Sequence, residues 1–305
     1  MNKWQKTELL RISGQRVEFD SPMSRHTTFR VGGNAEALYE AGDSETLCRV
    51  MSFLVKEGIP YIVAGRGSNL LVRDGGIGGT VILLSGAFTR ISCNKSDVSE
   101  ISVGAGLPIA DLLIRCRAEG ITGLEFLAGI PGTVGGAVAM NAGAFGNEIG
   151  AKVHKLKLVT QTGGLEERDR SRLRFSYRSL DLEKGVVITQ VTFQLDRDTQ
   201  ERVAEKIANY LKRRRETQPL EYPSAGSVFK NPVNDYAGRL IEEAGLKGKT
   251  IGGAMISNKH ANFIINKGGA TATDILALIN LAREEVRRRA GVQLELEIRI
   301  VGDLV

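Results

Sequence analysis

The sequence predicts an α+β fold followed by a separate α/β domain at its C-terminal end, and three observations lead to this class. Strand-like and helix-like segments are mixed over the first two thirds of the chain. Residues 127–146 hold six glycines and no charged side chain, which is typical of a ligand-binding turn region. From about Thr199 the pattern changes to long amphipathic helices, so we place a domain boundary near residue 200.

In the first part of the chain, the apolar residues 60–65 indicate a short buried strand, and residues 80–84 indicate a second strand after a glycine-rich turn. Residues 101–103 predict a strand, and residues 107–119 carry apolar side chains at helical spacing. Two further strands are predicted at residues 153–159 and 186–195.

The last third begins with a basic amphipathic helix at residues 202–215, followed by a turn-rich segment with two prolines. A shorter helix near residues 236–244 and an apolar strand at residues 262–265 come next. The chain then predicts a long helix at residues 272–290 and an alternating strand at residues 294–301.

Composition places the chain among ordinary globular proteins, with 42% hydrophobic and 25% charged residues. No apolar run approaches the roughly 20 residues that span a bilayer, and the polar N-terminus does not resemble a signal peptide. The net charge of +6 comes with basic helices but without stacking aromatics. We therefore expect a cytoplasmic protein with no nucleic-acid or membrane partner, whose charge attracts anionic small molecules.

Cysteine and histidine usage argues against a metal site. The three cysteines, Cys48, Cys93 and Cys116, lie far apart and do not show metal-type spacing. The three histidines are also scattered. We expect free thiols and no bound metal.

The uncharged glycine-rich run at residues 127–146 predicts a site for phosphates of a large cofactor, since backbone amides bind anions without side-chain charge. A glycine-rich surface loop is the alternative. Two other glycine motifs do not match known nucleotide-binding sequences. Gly65-Arg66-Gly67 lacks the third glycine of a dinucleotide-binding turn. Residues 248–250 resemble the end of a P-loop, but Glu243 occupies the position of its first glycine.

Six segments, taken together, are specific enough to point to a family: residues 65–72, 129–136, 140–144, 177–178, 226–232 and 295–299. In this order they resemble the UDP-N-acetylenolpyruvoylglucosamine reductases (MurB), flavoenzymes of bacterial peptidoglycan synthesis. The resemblance implies a PCMH-type (vanillyl-alcohol oxidase-like) FAD-binding domain in two α+β subdomains, residues 1–90 and 91–200, plus a C-terminal α/β substrate-binding domain, residues 201–305.

The resemblance also implies the reaction. NADPH reduces the flavin, and the reduced flavin N5 passes a hydride to the enolpyruvyl double bond of UDP-N-acetylglucosamine enolpyruvate, giving UDP-N-acetylmuramate. The glycine-rich loops contain neither His nor Cys, so we expect noncovalent FAD. Negative charge develops next to the substrate carboxylate, which calls for a nearby cation and a proton donor.

Three residues match the catalytic positions of the family. Arg178 would bind the carboxylate, Ser227 would donate the proton, and Glu297 would help to stabilise the enolate. From the residues alone, a surface salt bridge is the commoner role for an arginine such as Arg178, and a cap or turn hydroxyl is the commoner role for a serine beside glycine such as Ser227. Glu297 could belong to an exposed strand face. A carboxylate in the Glu297 position requires a proton or a cationic partner, for which Arg178 and Lys230 are candidates.

The remaining site residues follow from the same motifs. The cofactor-binding candidates are Gly65, Arg66, Gly67, Ser68, Asn69, Gly104, Gly129, Ile130, Pro131, Gly132, Thr133, Gly135, Gly136 and Ala139. Gly104 is the weaker member of that set. Tyr177, Lys230 and Asn231 are the substrate-binding candidates. His260 and Asn262 also match positions near the family site, although His260 has a structural alternative.

Residues 219–223 lead almost directly into residues 224–232, so the chain resembles the shorter subclass, which lacks a tyrosine-bearing insertion. We expect a monomer. Two alternatives stay open at this point: an FAD-dependent oxidase of the same superfamily, and a non-catalytic protein that binds nucleotides or nucleic acid through its basic helices.

Overall fold

The computed structural model describes residues 1–93 and 99–303. The chain forms two compact units. Unit 1 consists of Met1–Phe19, Glu36–Gly65 and Gly79–Lys212, and unit 2 consists of Asp20–Ala35, Arg66–Gly78 and Arg213–Val305. Unit 2 thus takes two segments from the N-terminal part of the chain, a grouping that differs from the three consecutive spans 1–90, 91–200 and 201–305.

Short 3₁₀ turns separate many of the regular elements. The helices in the described residues are α1 (Lys3–Ile12), α2 (Ser44–Lys56), α3 (Ile109–Glu119), α4 (Val134–Ala139), α5 (Gln200–Thr217), α6 (Ala237–Glu243) and α7 (Ala272–Ala290). The strands are β1 (Val17–Pro22), β2 (Asn34–Ala41), β3 (Tyr61–Ala64), β4 (Leu70–Val72), β5 (Ile77–Leu84), β6 (Ile91–Cys93), β7 (Glu100–Gly104), β8 (Ile121–Thr122), β9 (Gly143–Ala144), β10 (Asn147–Glu148), β11 (Val153–Val159), β12 (Leu165–Asp169), β13 (Phe175–Ser176), β14 (Ser179–Leu180), β15 (Val187–Gln194), β16 (Asp196–Arg197), β17 (Thr250–Ile251), β18 (Ala254–Ile256), β19 (Ile264–Asn266) and β20 (Arg299–Val301).

The first hydrophobic core of unit 1 lies between α2 and a four-stranded sheet in the order β1-β2-β5-β3. Asp43 caps the start of α2, since its carboxylate accepts a hydrogen bond from the Thr46 amide at 2.8 Å. Its buried side chains recur at helical spacing and face this core: Leu47, Val50, Met51 and Leu54.

A second core of unit 1 lies against a five-stranded sheet in the order β12-β11-β15-β7-β6, in which the strand pairs are antiparallel. Helix α3 buries one apolar stripe in this core and ends at Gly120, which adopts the left-handed conformation with φ +65°. The same core receives side chains from α4, so the glycine-rich run is anchored on its inner side by Val134, Ala137 and Val138.

Unit 2 packs α6 and α7 against the antiparallel sheet β17-β18-β19. Helix α7 begins with a capping box formed by Thr271 and Asp274, and its buried residues lie on one face. Strand β4 pairs in parallel with β20, so Leu70 lies opposite Arg299. Asp74, in the turn after β4, accepts hydrogen bonds from the amides of Ala272 and Thr273, each at 2.9 Å.

Most strongly periodic segments were predicted correctly, including α3, α5, α7 and β11. The prediction of a final strand at residues 294–301 is partly wrong. The strand begins only at Arg299, and before it Leu296 forms an isolated bridge with Phe229. Strand β19 begins two residues later than expected. The helices and strands before residue 60 were not predicted from the sequence.

Among the described residues, no helix is both long and apolar enough to cross a membrane. The same residues contain no group of three or more His, Cys, Asp and Glu side chains placed to hold a metal ion. Cys48 is half-buried and Cys116 lies in the second core of unit 1. The Cys93 side chain lies outside the described part of the structure.

Candidate active site

Predicted cofactor residues from three parts of unit 1 meet around Thr133. The residues after β7 pair with the glycine-rich run, since the Gly135 amide donates to the Ala105 carbonyl at 2.8 Å. The side chain of Thr133 accepts a hydrogen bond from the Gly136 amide at 3.3 Å. The end of β3 also approaches, because a Cβ at Gly65 would lie 2.5 Å from the Thr133 hydroxyl oxygen. Gly65 and the segments that begin at residues 104 and 129 are therefore neighbours within unit 1.

Exposure separates two kinds of glycine in these segments. Gly104 is buried, and a side chain there would overlap with the Phe88 carbonyl. Gly135 is also buried, and its Cβ would lie 2.7 Å from the Cβ of Ala105. These glycines are required by packing, so a direct contact between Gly104 and a cofactor stays a prediction without further support.

The outer side of the glycine-rich run is different, since Gly129, Pro131, Gly136 and Ala139 are exposed. Gly129 has φ +78°, and a Cβ at Gly136 would have a neighbour only at 3.4 Å, the Thr133 hydroxyl. Small exposed residues allow a ligand to approach the backbone, and the run offers phosphates no negative side chain. The residues present therefore fit FAD.

In unit 2, the segment that precedes β4 holds Gly67, Ser68 and Asn69. Gly67 has φ +61° and packs so closely on the His26 carbonyl that a side chain would overlap with it. Asn69 is tied to the C-terminal segment twice: its side-chain amide donates to the Glu297 carbonyl at 3.1 Å, and its carbonyl accepts from the Arg299 amide at 2.9 Å.

The C-terminal segment that holds Glu297 adjoins the segment of Ser227. The Glu297 amide donates to the Val228 carbonyl at 2.8 Å, and the Val228 amide donates to the Asn262 carbonyl at 2.8 Å. Ser227 is half-buried and bridges to Phe263. The fold of unit 2 thus brings together two predicted catalytic residues and one predicted cofactor residue through main-chain contacts.

The structure also distinguishes Glu297 from Glu295, which the alternating sequence pattern could not do. Glu295 is exposed, with 76% of its side chain accessible, and its carboxylate lies 3.6 Å from Lys230 Nζ. Glu297 is half-buried. Lys230 therefore pairs with the exposed glutamate, and the half-buried glutamate is the one that the family motif selects.

Arg178 lies in unit 1, at the turn between β13 and β14. Its backbone adopts φ +58°, and its Nη1 donates to the Gly143 carbonyl at 3.1 Å. The guanidinium also stacks over the Tyr177 ring, with 5.1 Å between Cζ and the ring centroid. The Arg178 guanidinium is thus half-buried and held by a main-chain carbonyl, and its contact with a substrate carboxylate stays a prediction.

Other candidates have mainly local partners. Asn231 accepts a hydrogen bond from the Ala237 amide at 3.1 Å, at the start of α6. Tyr177 is 46% exposed. The His260 ring lies 4.8 Å from the Phe263 ring, its Nδ1 accepts from the Asn262 amide at 3.3 Å, and burial lowers the pKa of His260. These contacts favour the structural interpretation of His260.

The sequence reasoning missed the segment at residues 26–33, which packs against the predicted cofactor residues of unit 2. The Phe29 carbonyl accepts from the Asn266 side chain at 3.0 Å, and a side chain at Gly33 would overlap with the Asp74 carbonyl. The adjacent glycines Gly32 and Gly33 were the available signal, since paired glycines mark a close backbone approach.

Comparisons with known proteins decide the family. Residues 218–301 match a family model described as the C-terminal domain of UDP-N-acetylenolpyruvoylglucosamine reductase, and residues 35–168 match an FAD binding domain. The chain belongs to the UDP-N-acetylenolpyruvoylglucosamine reductase family. A reductase of this name from Geobacter metallireducens is 44% identical over 286 residues, with 93% of each chain covered. One from Anoxybacillus flavithermus is 42% identical over 300 residues, covering 97% of this chain and 98% of that one.

A solved structure gives the same result for UDP-N-acetylenolpyruvoylglucosamine reductases. The crystal structure of the enzyme (MurB) from Thermus caldophilus matches with a TM-score of 0.79 and 36% identity, and it covers 93% of this chain and 97% of that chain. The predicted fold class and the FAD-binding domain are therefore confirmed, and the chain is a flavoprotein of this reductase family.

Proposed function

We propose that this protein reduces UDP-N-acetylglucosamine enolpyruvate to UDP-N-acetylmuramate with NADPH and FAD, as a step of peptidoglycan precursor synthesis. Membership of the reductase family supports the reaction and the flavin. One observation carries the assignment of residues: unit 2 joins Asn69, Glu297 and the segment of Ser227 by main-chain and side-chain hydrogen bonds. Cofactor and catalytic candidates that lie far apart in sequence meet there.

Arg178 binds the enolpyruvyl carboxylate in this proposal. When bound, FAD supplies the hydride that reduces the outer carbon of the double bond, using two electrons from NADPH. The negative charge that develops on the neighbouring carbon spreads into the carboxylate, where the planar guanidinium of Arg178 stabilises it by two parallel hydrogen bonds. The carbonyl of Gly143 orients that guanidinium in the structure.

Ser227 donates the proton that completes the reduction. Its Oγ–H bond breaks as the new C–H bond forms at the carbon next to the carboxylate, and the serine then regains a proton from water. Such transfers contribute about 10²- to 10⁴-fold when geometry is fixed. Glu297 is half-buried beside this segment and, in protonated form, donates a hydrogen bond to the enolate.

The other predicted residues bind the ligands. Amides of Gly129, Gly132, Gly136 and neighbouring residues contact the FAD phosphates, together with the segment at residues 65–69. Tyr177, Lys230 and Asn231 contact the UDP portion of the substrate. We propose that the enzyme acts on these small molecules in the cytoplasm and as a monomer.

The experiment that tests this function separates the two half-reactions. Purified protein is mixed anaerobically with NADPH, and flavin bleaching is followed by stopped-flow absorbance; the enolpyruvyl substrate is then added, and reoxidation is followed. The Ser227→Ala variant should bleach normally and should reoxidise about 10²- to 10⁴-fold more slowly. Ser224→Ala, three residues earlier in the same half-buried segment, is the matched control.

Each contrary result has a clear meaning. Normal reoxidation of Ser227→Ala excludes the serine as the proton donor while the reaction itself stands. Bleached flavin that recovers only with oxygen indicates an oxidase. Purification of the protein without bound flavin would refute the assignment of the cofactor-binding residues.

A further inference from the structure

Asn141 is a buried polar residue with no role in the proposed function so far. It is 1% exposed and lies just after α4, with φ +41°. Its side chain makes three hydrogen bonds: Oδ1 accepts from the Gly150 amide at 3.0 Å, and Nδ2 donates to the Ser176 carbonyl at 2.9 Å and to Glu148 Oε2 at 2.8 Å. All of these residues belong to unit 1.

Two of these bonds reach the elements that flank Arg178. Ser176 is the last residue of β13, and the turn Tyr177-Arg178 follows directly. Glu148 lies in β10, where it pairs with Gly143 of β9. Gly143 in turn supplies the carbonyl that accepts the Arg178 Nη1 hydrogen bond. Asn141 therefore connects the turn that carries the Arg178 backbone to the hairpin that holds its guanidinium.

The geometry of Arg178 makes such a connection necessary. A non-glycine residue at φ +58° costs free energy, so the surrounding contacts must hold the turn in place. Strands β13 and β14 have two residues each, and so do β9 and β10, which leaves few ladder hydrogen bonds to do this. The Phe175 ring packs so closely on Gly150 that a side chain there would overlap with it. This packing holds the Gly150 amide in the position from which it donates to Asn141.

We infer that Asn141 is a positioning residue for the guanidinium of Arg178. Its amide group sets the distance between the Arg178 turn and the Gly143 carbonyl, and through them the direction in which the guanidinium meets the substrate carboxylate. The inference rests on the proposed role of Arg178. Asn141 itself touches neither the substrate nor the flavin in this account.

Two substitutions test the inference without forcing the backbone to change. Aspartate and glycine both tolerate a positive φ, so Asn141→Asp and Asn141→Gly keep the turn accessible. The Asn141→Asp side chain can still accept from the Gly150 amide; in its ionised form it cannot donate to Ser176 or Glu148, and it places a second carboxylate beside Glu148. Asn141→Gly removes all three hydrogen bonds.

We expect both variants to reoxidise with the enolpyruvyl substrate about 10- to 100-fold more slowly, since a small misplacement of an orienting group costs about this much. Bleaching by NADPH and the visible flavin spectrum should be unchanged. Titration of the oxidised enzyme with the enolpyruvyl substrate, followed by flavin absorbance, should show a smaller loss of affinity than of rate, because Tyr177, Lys230 and Asn231 still bind the UDP portion.

The decisive arm combines each change with Arg178→Ala. If Asn141 acts through Arg178, then Asn141→Asp in the Arg178→Ala background should add no further slowing of reoxidation. Thr189→Val is the matched control: Thr189 is 5% exposed in the same unit, its hydroxyl donates to the Lys157 carbonyl at 3.0 Å, and its loss should leave reoxidation unchanged.

Additive losses in the double variant would overturn the inference, as would equal slowing of both half-reactions, which is the pattern of general structural damage. Normal reoxidation of the Asn141 variants alongside slow reoxidation of Arg178→Ala would also overturn it and would leave the proposed function intact. Normal reoxidation of Arg178→Ala itself would instead refute the proposed role of that arginine.

Discussion

Two buried asparagines hold the proposed catalytic segments, one in each unit, and they do so differently. In unit 2, Asn262 is 3% exposed and bonds both main-chain groups of Phe229, accepting from its amide at 2.9 Å and donating to its carbonyl at 2.8 Å. In unit 1, Asn141 bonds three different residues, Glu148, Gly150 and Ser176, and only its bond to Gly150 lies fully inside the protein.

The difference shows how each unit fixes its reacting side chain. The Ser227 segment is held by main-chain bonds and by the fully buried side chains of Val228 and Phe229, so its position depends on the core of unit 2. Arg178 projects from a short hairpin and depends on side-chain hydrogen bonds. We therefore expect changes to the residues that hold the Ser227 segment to act mainly on stability, and changes to the residues that hold Arg178 to act mainly on the reaction rate.

The largest effect that tests this comparison is expected for Asn262→Ala. It leaves a buried amide and a buried carbonyl of Phe229 without partners, so the free energy of unfolding should fall by about 2–4 kcal/mol. Asn141→Gly leaves one such buried group, the Gly150 amide, and should cost about 1–2 kcal/mol. Urea unfolding, monitored by circular dichroism, measures the free energy of unfolding of both variants. Equal losses would contradict the difference drawn between the units.

A smaller effect, on rate alone, is expected for Arg178→Lys. Lysine keeps the positive charge but lacks the planar fork, so it cannot bond the Gly143 carbonyl and present two parallel donors to a carboxylate. Reoxidation by the enolpyruvyl substrate should slow by about 10- to 100-fold, or about 1.4–2.7 kcal/mol of transition-state stabilisation, with the urea midpoint unchanged. Arg174→Lys, exposed and four residues earlier, is the control. A shifted midpoint in Arg178→Lys would show that this arginine also stabilises unit 1.

The sequence predicted those features that depend on local pattern. Amphipathic spacing located α3, α5 and α7, and glycine density located the surface that fits FAD. Which segments of the chain make up unit 2 could not be predicted from the sequence. Strand β4 pairs with β20, which lies more than 200 residues later, and the sequence of a short strand does not indicate its partner. The hydrogen bonds of Asn141 to Ser176 and of Asn262 to Phe229 were not predicted for the same reason, because each joins residues more than 30 positions apart.

The smallest expected effect concerns how unit 2 holds its N-terminal segments. Burial of Asp74 opposes its ionisation, but hydrogen bonds from the Thr273 side chain and from the amides of Ala272 and Thr273 outweigh this and lower the pKa of Asp74. A carboxyl whose pKa is lower in the folded state stabilises the fold above its unfolded pKa of about 4, and this contribution is lost as pH falls through the folded value.

Asp74→Asn should therefore reduce the free energy of unfolding by about 1 kcal/mol at pH 7. Below about pH 4, the difference in the free energy of unfolding between the variant and the unmodified protein should become smaller. Asp43→Asn in unit 1 is the matched control, because Asp43 caps the exposed start of α2 and asparagine caps a helix equally well. Urea midpoints across the pH range measure both. A pH-independent gap for Asp74→Asn would mean that the charge of Asp74 contributes nothing, and that unit 2 holds residues 66–78 by the β4–β20 pairing and apolar packing.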